Sequence, residues 1–379
     1  YIYIYIKLEF ICAIMDFTLG ERLSAMFWRD EYWLPVGVKW ADIHPDDGLM
    51  YPNETDIWTY PIIFAFFMIM FRSWILNPFV LEPFAMAMGL EVKKVKPPKP
   101  NPILEKVFLA NKGCVPSKAI EETSASLQLT RRQVECWLRS RAAMTKLTKL
   151  DKFQDSAYIC IYHSLITAYG FTIMYSKPWL WDISLIYRNF PYHDIDTGIW
   201  WYYMIGSAFY WSQSIWQFKF SHGKDAKILY LHHICTILLL GCSWTCNFIR
   251  IGTLILLVHE CGDIPLQILK ILRYLKEKVW IDYMHVSFAI LWVTTRMGIY
   301  PFWILHCIFI EMPKHVDVPT VSILNIFLLI LFFLNIIWTG CVFYSLYKRV
   351  ATGYMENVVS SGNEDSERES GSTLEAKDK

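Results

Sequence analysis

The sequence predicts an all-α protein: a polytopic integral membrane bundle of about seven spans, with a small three-helix insert after the first span. Three observations predict it. The 379 residues are 54% apolar and only 19% charged, against about 45–50% and about 25% in ordinary soluble domains. Seven windows, 58–77, 157–176, 198–218, 228–245, 251–271, 283–304 and 321–347, approach the roughly 20 apolar residues that a bilayer-crossing helix needs. Between the first two windows the chain turns charged and helix-patterned, behind the proline-rich linker PPKPNP at 97–102.

Composition also excludes several classes. The low charge content rules out a disordered chain, and a net charge of +1 says nothing about partners. The ten cysteines are scattered without a CxxC pair, so neither a zinc ribbon nor a small disulfide scaffold is expected. The opening stretch YIYIYIKLEFICAI is apolar but short, with no basic start and no small-residue cleavage pattern, so it makes a poor signal peptide. Met15 is the expected natural start, with 1–14 non-native.

Residues 1–57 are expected to precede the first span, 58–77, and to lie on the lumenal side. Lys and Arg placement sets this orientation. Cations concentrate in 91–152, in the loop with Lys219, Lys224 and Lys227, in the loop with Arg273, Lys276 and Lys278, and at Lys348 and Arg349. Counting crossings puts all four segments on one side, the cytosol. The sequon Asn53-Glu54-Thr55 falls on the opposite side, which predicts a glycan on Asn53.

The cytosolic segment, 78–152, holds three short helical patterns. The first carries Ile103, Leu104, Val107 and Phe108 on one face, the second covers about 118–126, and the third opens at Thr130 with Gln133 three residues on, a capping box. With VECWLRSR in the third helix, the segment resembles a homeodomain. In that family an Asn on the third helix reads adenine, but the matching position here is Ser140, followed by Arg141 and Ala142. That departure and the tether to a membrane span argue against sequence-specific DNA binding. Anionic lipid or a phosphorylated ligand is the alternative use of its cations.

The most informative stretch, 229–274, places His232, His233, His259, Glu260 and Asp263 within two adjacent spans. Ionisable groups in hydrocarbon are expensive and usually functional. With Cys246 taken as the middle of the turn, His232 lies 14 residues before it and His259 lies 13 after it. In antiparallel helices rising about 1.5 Å per residue, both sit roughly 20 Å from the turn. His259 and Asp263 (i, i+4), and Glu260 and Asp263 (i, i+3), fall on one helix face. His232 and His233 are about 100° apart, so one is expected to face a cavity while a neighbour orients the other. The residues alone leave three readings open: a metal site, buried polar pairing without chemistry, and acid–base or nucleophilic catalysis on a lipid.

These residues also match a family. HHxxT at 232–236, the N-x-x-R-x-G turn at Asn247, Arg250 and Gly252, and H-[acidic]-x-x-D at 259–263 resemble the Lag1 motif of the TLC superfamily. Together with the linker, the insert and the opening WRDEYWLPVGVKWADI at 28–43, the chain resembles an animal ceramide synthase from about Met15 to Arg349. The resemblance implies an endoplasmic-reticulum enzyme, with 153–349 as the TLC membrane domain, that joins a fatty acyl-CoA to the amine of a sphingoid base. It implies His232, His233, His259, Glu260 and Asp263 as the essential residues. No cofactor is expected, acyl-CoA being a co-substrate, and assembly as a homo- or heterodimer is left open. Glu260 departs from the family's usual Asp by one methylene, a change that can cost rate at a tightly packed site.

On this reading a histidine of the 232/233 pair deprotonates the amine or first takes the acyl group. Asp263 orients that imidazole and His259 relays protons. Lys219, Lys224, Lys227, Arg273, Lys276 and Lys278 are the candidates to meet the coenzyme phosphates. The rival from another class is a non-catalytic TLC-type lipid sensor or chaperone. His163, Arg296 and Asn335 are expected to be inter-helix hydrogen bonders, Arg250 to snorkel, and Trp200–Met204 to form an interfacial aromatic belt. Acyl length is expected to follow cavity depth and the segment 306–320. The polar tail, 350–379, is expected to be disordered, with Ser361, Ser366 and Ser372 before acidic residues as phosphorylation sites.

Overall fold

A computed structural model of the chain describes residues 21–22, 24–43, 48–90, 97–111, 113, 115–144, 147–220, 224–277 and 279–352, except the side chains of 218–220 and 224–225. Ser361, Ser366, Ser372 and the opening 1–14 lie outside the described residues. All regular structure among the described residues is helical. Ten helices carry the fold: α1 Glu54–Ala87, α2 Pro102–Ala110, α3 Ser117–Leu127, α4 Arg131–Ala143, α5 Lys149–Met174, α6 Thr197–Phe220, α7 Lys224–Thr245, α8 Ile249–Tyr274, α9 Trp280–Lys314 and α10 Val321–Thr352.

Local chemistry sets where these helices start. The Asn53 side chain accepts from Thr55 N at 2.9 Å and caps α1. Thr130 and Gln133 form the expected capping box of α4, and Thr148 with Asp151 forms another at the start of α5. α1 and α9 are not regular throughout. Pro78 and Pro301 each sit inside a π-helical stretch, Arg72–Leu81 and Val293–Leu305. A proline ring clashes with the carbonyl four residues back, and the wider turn relieves that clash.

Among the described residues, five helices are long and apolar enough to cross a membrane: α1, α5, α7 from Ala226, α9 and α10. The protein is therefore a multi-pass membrane protein. The other two long helices, α6 and α8, miss that threshold. α8 carries Arg250, Glu260, Asp263, Lys270 and Arg273, and α6 is rich in Tyr, Trp, Ser and Gln. α1 outruns the expected 58–77 window at both ends.

α8 is the axis of the bundle. It packs along α5 and also touches α6, α7 and α9, while α6 lies along α1 and α10 covers α7 and α9. The expected aromatic belt at 200–204 is mostly interior: Tyr202, Tyr203 and Met204 are fully buried, whereas Trp201 is exposed and Trp200, partly buried, donates to Asp56 at 2.8 Å. Close approach explains the burial. A Cβ on Gly252 would lie 1.8 Å from the Tyr203 hydroxyl, so only glycine lets α8 come this near α6. Helices α2–α4 close on their own small core of Leu104, Phe108, Val134 and Leu138. Arg141 grips Glu105 at 2.7 Å, and Arg131 and Arg139 pair with Glu135.

Candidate active site

The α7–α8 turn fixes the site's register. α7 ends at Thr245 and α8 begins at Ile249, which centres the turn on Asn247, one residue past the expected Cys246. Asn247 adopts a left-handed backbone, φ 56°, and its amide donates to the carbonyls of Pro191 (2.7 Å) and His193 (2.9 Å). Arg250 does not simply snorkel: it donates to the carbonyls of Leu185 and Arg188. The N-x-x-R-x-G turn thus anchors the two site helices to the loop before α6 and seats Gly252 against Tyr203.

From this turn a cavity runs back between α7, α8, α9 and α10. It holds about 690 Å³ of space between atoms, part of it open to the outside. Leu240, Ile251, Ile255, Ile308, Leu324 and Leu328 give it an apolar lining, and Tyr210, His232 and His259 line it from three different helices. The 11 residues from Phe248 to His259 span roughly 16 Å of helix, so the imidazoles lie far from the turn. His232 and His259 therefore line one cavity, in keeping with their nearly equal offsets from the turn. Thr236 donates to the His232 carbonyl at 2.9 Å, which ties the HHxxT segment into one helical turn. His233 is not among the lining residues; its ring lies 5.8 Å from that of Tyr210.

The acidic residues have other partners. Glu260, fully buried, accepts from the Tyr210 hydroxyl at 3.2 Å and contacts His163 Nδ1 on α5. Asp263 accepts from Arg296 Nη2 at 3.0 Å. The same guanidinium donates to the His259 carbonyl at 2.8 Å and to Asn335 at 3.3 Å. His163, Arg296 and Asn335 are thus inter-helix hydrogen bonders, as expected, but they bond the site itself. Two expectations are corrected. Asp263 pairs with a guanidinium instead of orienting an imidazole of the 232/233 pair. Glu260 and Asp263 turn to different helices, because an i, i+3 pair on the central α8 meets neighbours on both flanks. His259 Nδ1–H donates to the Ile255 carbonyl at 2.7 Å, which leaves Nε2 buried and unpartnered. Among the described residues no three His, Cys, Asp or Glu side chains stand close enough to share a metal ion.

The TLC-domain family profile matches residues 152–343, from α5 into α10. The chain is 35% identical to ceramide synthase 5 of Homo sapiens over 321 residues, 84% of this chain and 81% of that protein. It is 32% identical to ceramide synthase 3 of Mus musculus over 342 residues, 90% and 88% of the two chains. The chain belongs to the ceramide synthases of the TLC family. Similarity to ceramide synthase 4 of Bos taurus, 28% over 361 residues, spans 94% of this chain, so the insert and N-terminal segment fall within the likeness. The protein is accordingly an acyltransferase, a sphingosine N-acyltransferase.

Of the six cations expected to meet the coenzyme, Lys227 and Lys276 are exposed and Arg273 is half-buried, all at the bundle end opposite the α7–α8 turn. Lys278 and the side chains of Lys219 and Lys224 lie outside the described residues. Asn53 is exposed; its side-chain oxygen caps α1, and its carbonyl accepts from Trp244 at 2.8 Å. Tyr210 was not legible in the sequence. It sits in an aromatic run of α6 whose inward face no periodicity marks.

Proposed function

We propose that this chain transfers the acyl group of a fatty acyl-CoA to the amine of a sphingoid base, giving a (dihydro)ceramide, at the cavity lined by His232, His259 and Tyr210. One observation carries the reading: two imidazoles from α7 and α8 open onto a single, mostly apolar cavity in a membrane bundle. An alkyl chain is the ligand such walls suit, and an imidazole is the side chain suited to acyl transfer near neutral pH.

The transfer follows either of two balanced routes. In the covalent route a His232 nitrogen attacks the thioester carbonyl, the C–S bond breaks, and the coenzyme thiolate departs. The sphingoid amine then attacks the acyl-imidazole; the new C–N bond forms as the acyl–imidazole bond breaks, and the amine proton passes through the freed imidazole to the coenzyme thiolate. In the base route His232 takes the amine proton as the amine attacks the thioester directly; the C–S bond then breaks and the departing coenzyme thiolate takes that proton to leave as the thiol. His259, with its free Nε2, relays the proton, and His233 supports the ring of Tyr210. Asp263 and Arg296 fix the register of α8 against α9.

All seven long helices are proposed to cross the endoplasmic-reticulum membrane, with the Asn53 end lumenal and glycosylated. The α2–α4 module, the C-terminus and Lys227, Arg273 and Lys276 are then cytosolic, where those cations meet coenzyme phosphates. Inward-facing polar residues in α6 and α8 suit spans that line a cavity. Acyl length follows cavity depth, since Ile308 and Met312 of the 306–320 segment line its far end.

Purified protein given sphinganine and a panel of acyl-CoAs tests the proposal: ceramide with at least one acyl length is expected, and no product with any length overturns it. Intact mass after acyl-CoA alone separates the routes, because only the covalent one adds an acyl mass that His232→Ala abolishes.

A further inference from the structure

His163 is a buried histidine of α5 that no sequence motif claims. It is 5% exposed and contacts Glu260 through Nδ1, with its ring edge-on to Phe209 at 5.3 Å and Tyr162 at 5.2 Å. Glu260 has one other partner given by the structure, the Tyr210 hydroxyl. The ring of Tyr210 in turn lies 6.3 Å from His232 and 5.8 Å from His233. A chain of contacts thus runs from α5 through α8 and α6 to the paired imidazoles of α7.

We infer that His163 is a positioning residue: by holding the Glu260 carboxylate on the α5 side, it fixes the Tyr210 phenol and ring against His232 at the cavity. His163 is absent from the cavity lining, so it acts through Glu260 and touches no substrate. A buried carboxylate needs partners for all its lone pairs. Without His163, Glu260 loses its partner on α5 and is free to turn, and the Tyr210 bond is no longer directed. The glutamate's length is part of the device. The side chain reaches both α5 and α6 from one position on α8, and an aspartate, shorter by one methylene, retracts from His163. The position where this chain departs from the usual Asp is therefore matched by a histidine across the helix interface. This inference rests on the acyl-transfer reading above for its kinetic consequences, and on the contacts alone for its structural ones.

The experiment uses purified full-length protein and the variants His163→Gln, Glu260→Gln, Glu260→Asp and Tyr210→Phe, with the doubles His163→Gln/Tyr210→Phe and His163→Gln/Glu260→Gln. A misplaced reacting group costs roughly 10- to 100-fold in rate, so His163→Gln is expected to lower kcat by that factor, leaving the acyl-CoA KM nearly unchanged. Glu260→Asp is expected to behave likewise. In the Tyr210→Phe background His163→Gln should change kcat by less than about twofold, because the link is already cut; independent sites would give additive losses. A full additive loss in that background, a His163→Gln variant as active as the parent, or a more active Glu260→Asp each overturns the inference. Unfolding temperatures of the His163/Glu260 cycle give a readout without activity. Non-additive temperatures are expected, and additive ones overturn the pairing. If the parent makes no ceramide while the temperatures are non-additive, the acyl-transfer reading falls and the pairing stands.

Discussion

Arg296 of α9 donates to the Asp263 carboxylate of α8 at 3.0 Å while bonding the His259 carbonyl one turn earlier at 2.8 Å. One guanidinium thereby pins the helix that carries His259 at two successive turns. It issues from the π-helical stretch of α9, where the widened backbone sets a side chain that a regular helix would aim elsewhere. Asp263, the last residue of the H-[acidic]-x-x-D segment, serves this clamp.

Arg296→Gln should destabilise the protein by about 1–3 kcal/mol, because it leaves the partly buried Asp263 charge and the His259 carbonyl without their charged donor. The double variant Arg296→Met/Asp263→Leu should recover most of that loss without recovering activity. Thermal unfolding in detergent beside a ceramide assay separates the two effects.

The close approach of α8 to α6 gives a second prediction. Gly252→Ala should cost about 1–3 kcal/mol through overpacking against Tyr203. Adding Tyr203→Phe removes the hydroxyl that the new methyl meets and should restore part of the loss. Unfolding temperatures of the two single variants and the double check it.

His193, in the loop before α6, predicts a pH dependence. Burial, reinforced by the charge of Arg250, lowers its pKa to about 4, below an ordinary value near 6.5. The folded state thus favours the neutral ring, which donates from Nε2 to the Arg188 carbonyl at 2.8 Å. This contribution is fully present above pH 6.5 and is lost as pH falls towards 4, on the order of 3 kcal/mol in all. Unfolding followed from pH 7 to pH 4 should show a slope that His193→Gln flattens.

Filling the far end of the cavity should change acyl choice. Leu324→Trp places a larger ring among Phe248, Ile308 and Met312 and should shift preference towards shorter acyl-CoAs by about tenfold, the scale of a few methylenes in an apolar pocket. Competition between two acyl-CoAs, read from product masses, measures it.

The sequence held much of this account. The offsets of His232 and His259 from Cys246 fixed their common depth because helix rise is constant. The Thr130–Gln133 capping box gave the start of α4 because it is local. Partner choice was not legible: Glu260 and Asp263 are three residues apart, yet they meet α5 and α9, and only tertiary packing decides which helix flanks which side of α8. Tyr202 and Tyr203 looked like an interfacial belt because their composition suits one equally well. Tyr203 is buried against Gly252, 49 residues later, and Tyr202 against Gly170 on α5.

The most direct test is ceramide output of His232→Ala against the parent at equal amounts of folded protein, with sphinganine and the preferred acyl-CoA. Removing a catalytic acid–base or nucleophilic group costs about 10²–10⁴-fold in rate, and a fall of that size in kcat with an unchanged unfolding temperature is predicted. A His232→Ala protein that makes ceramide at the parent's rate would contradict the assignment of the reaction to this cavity.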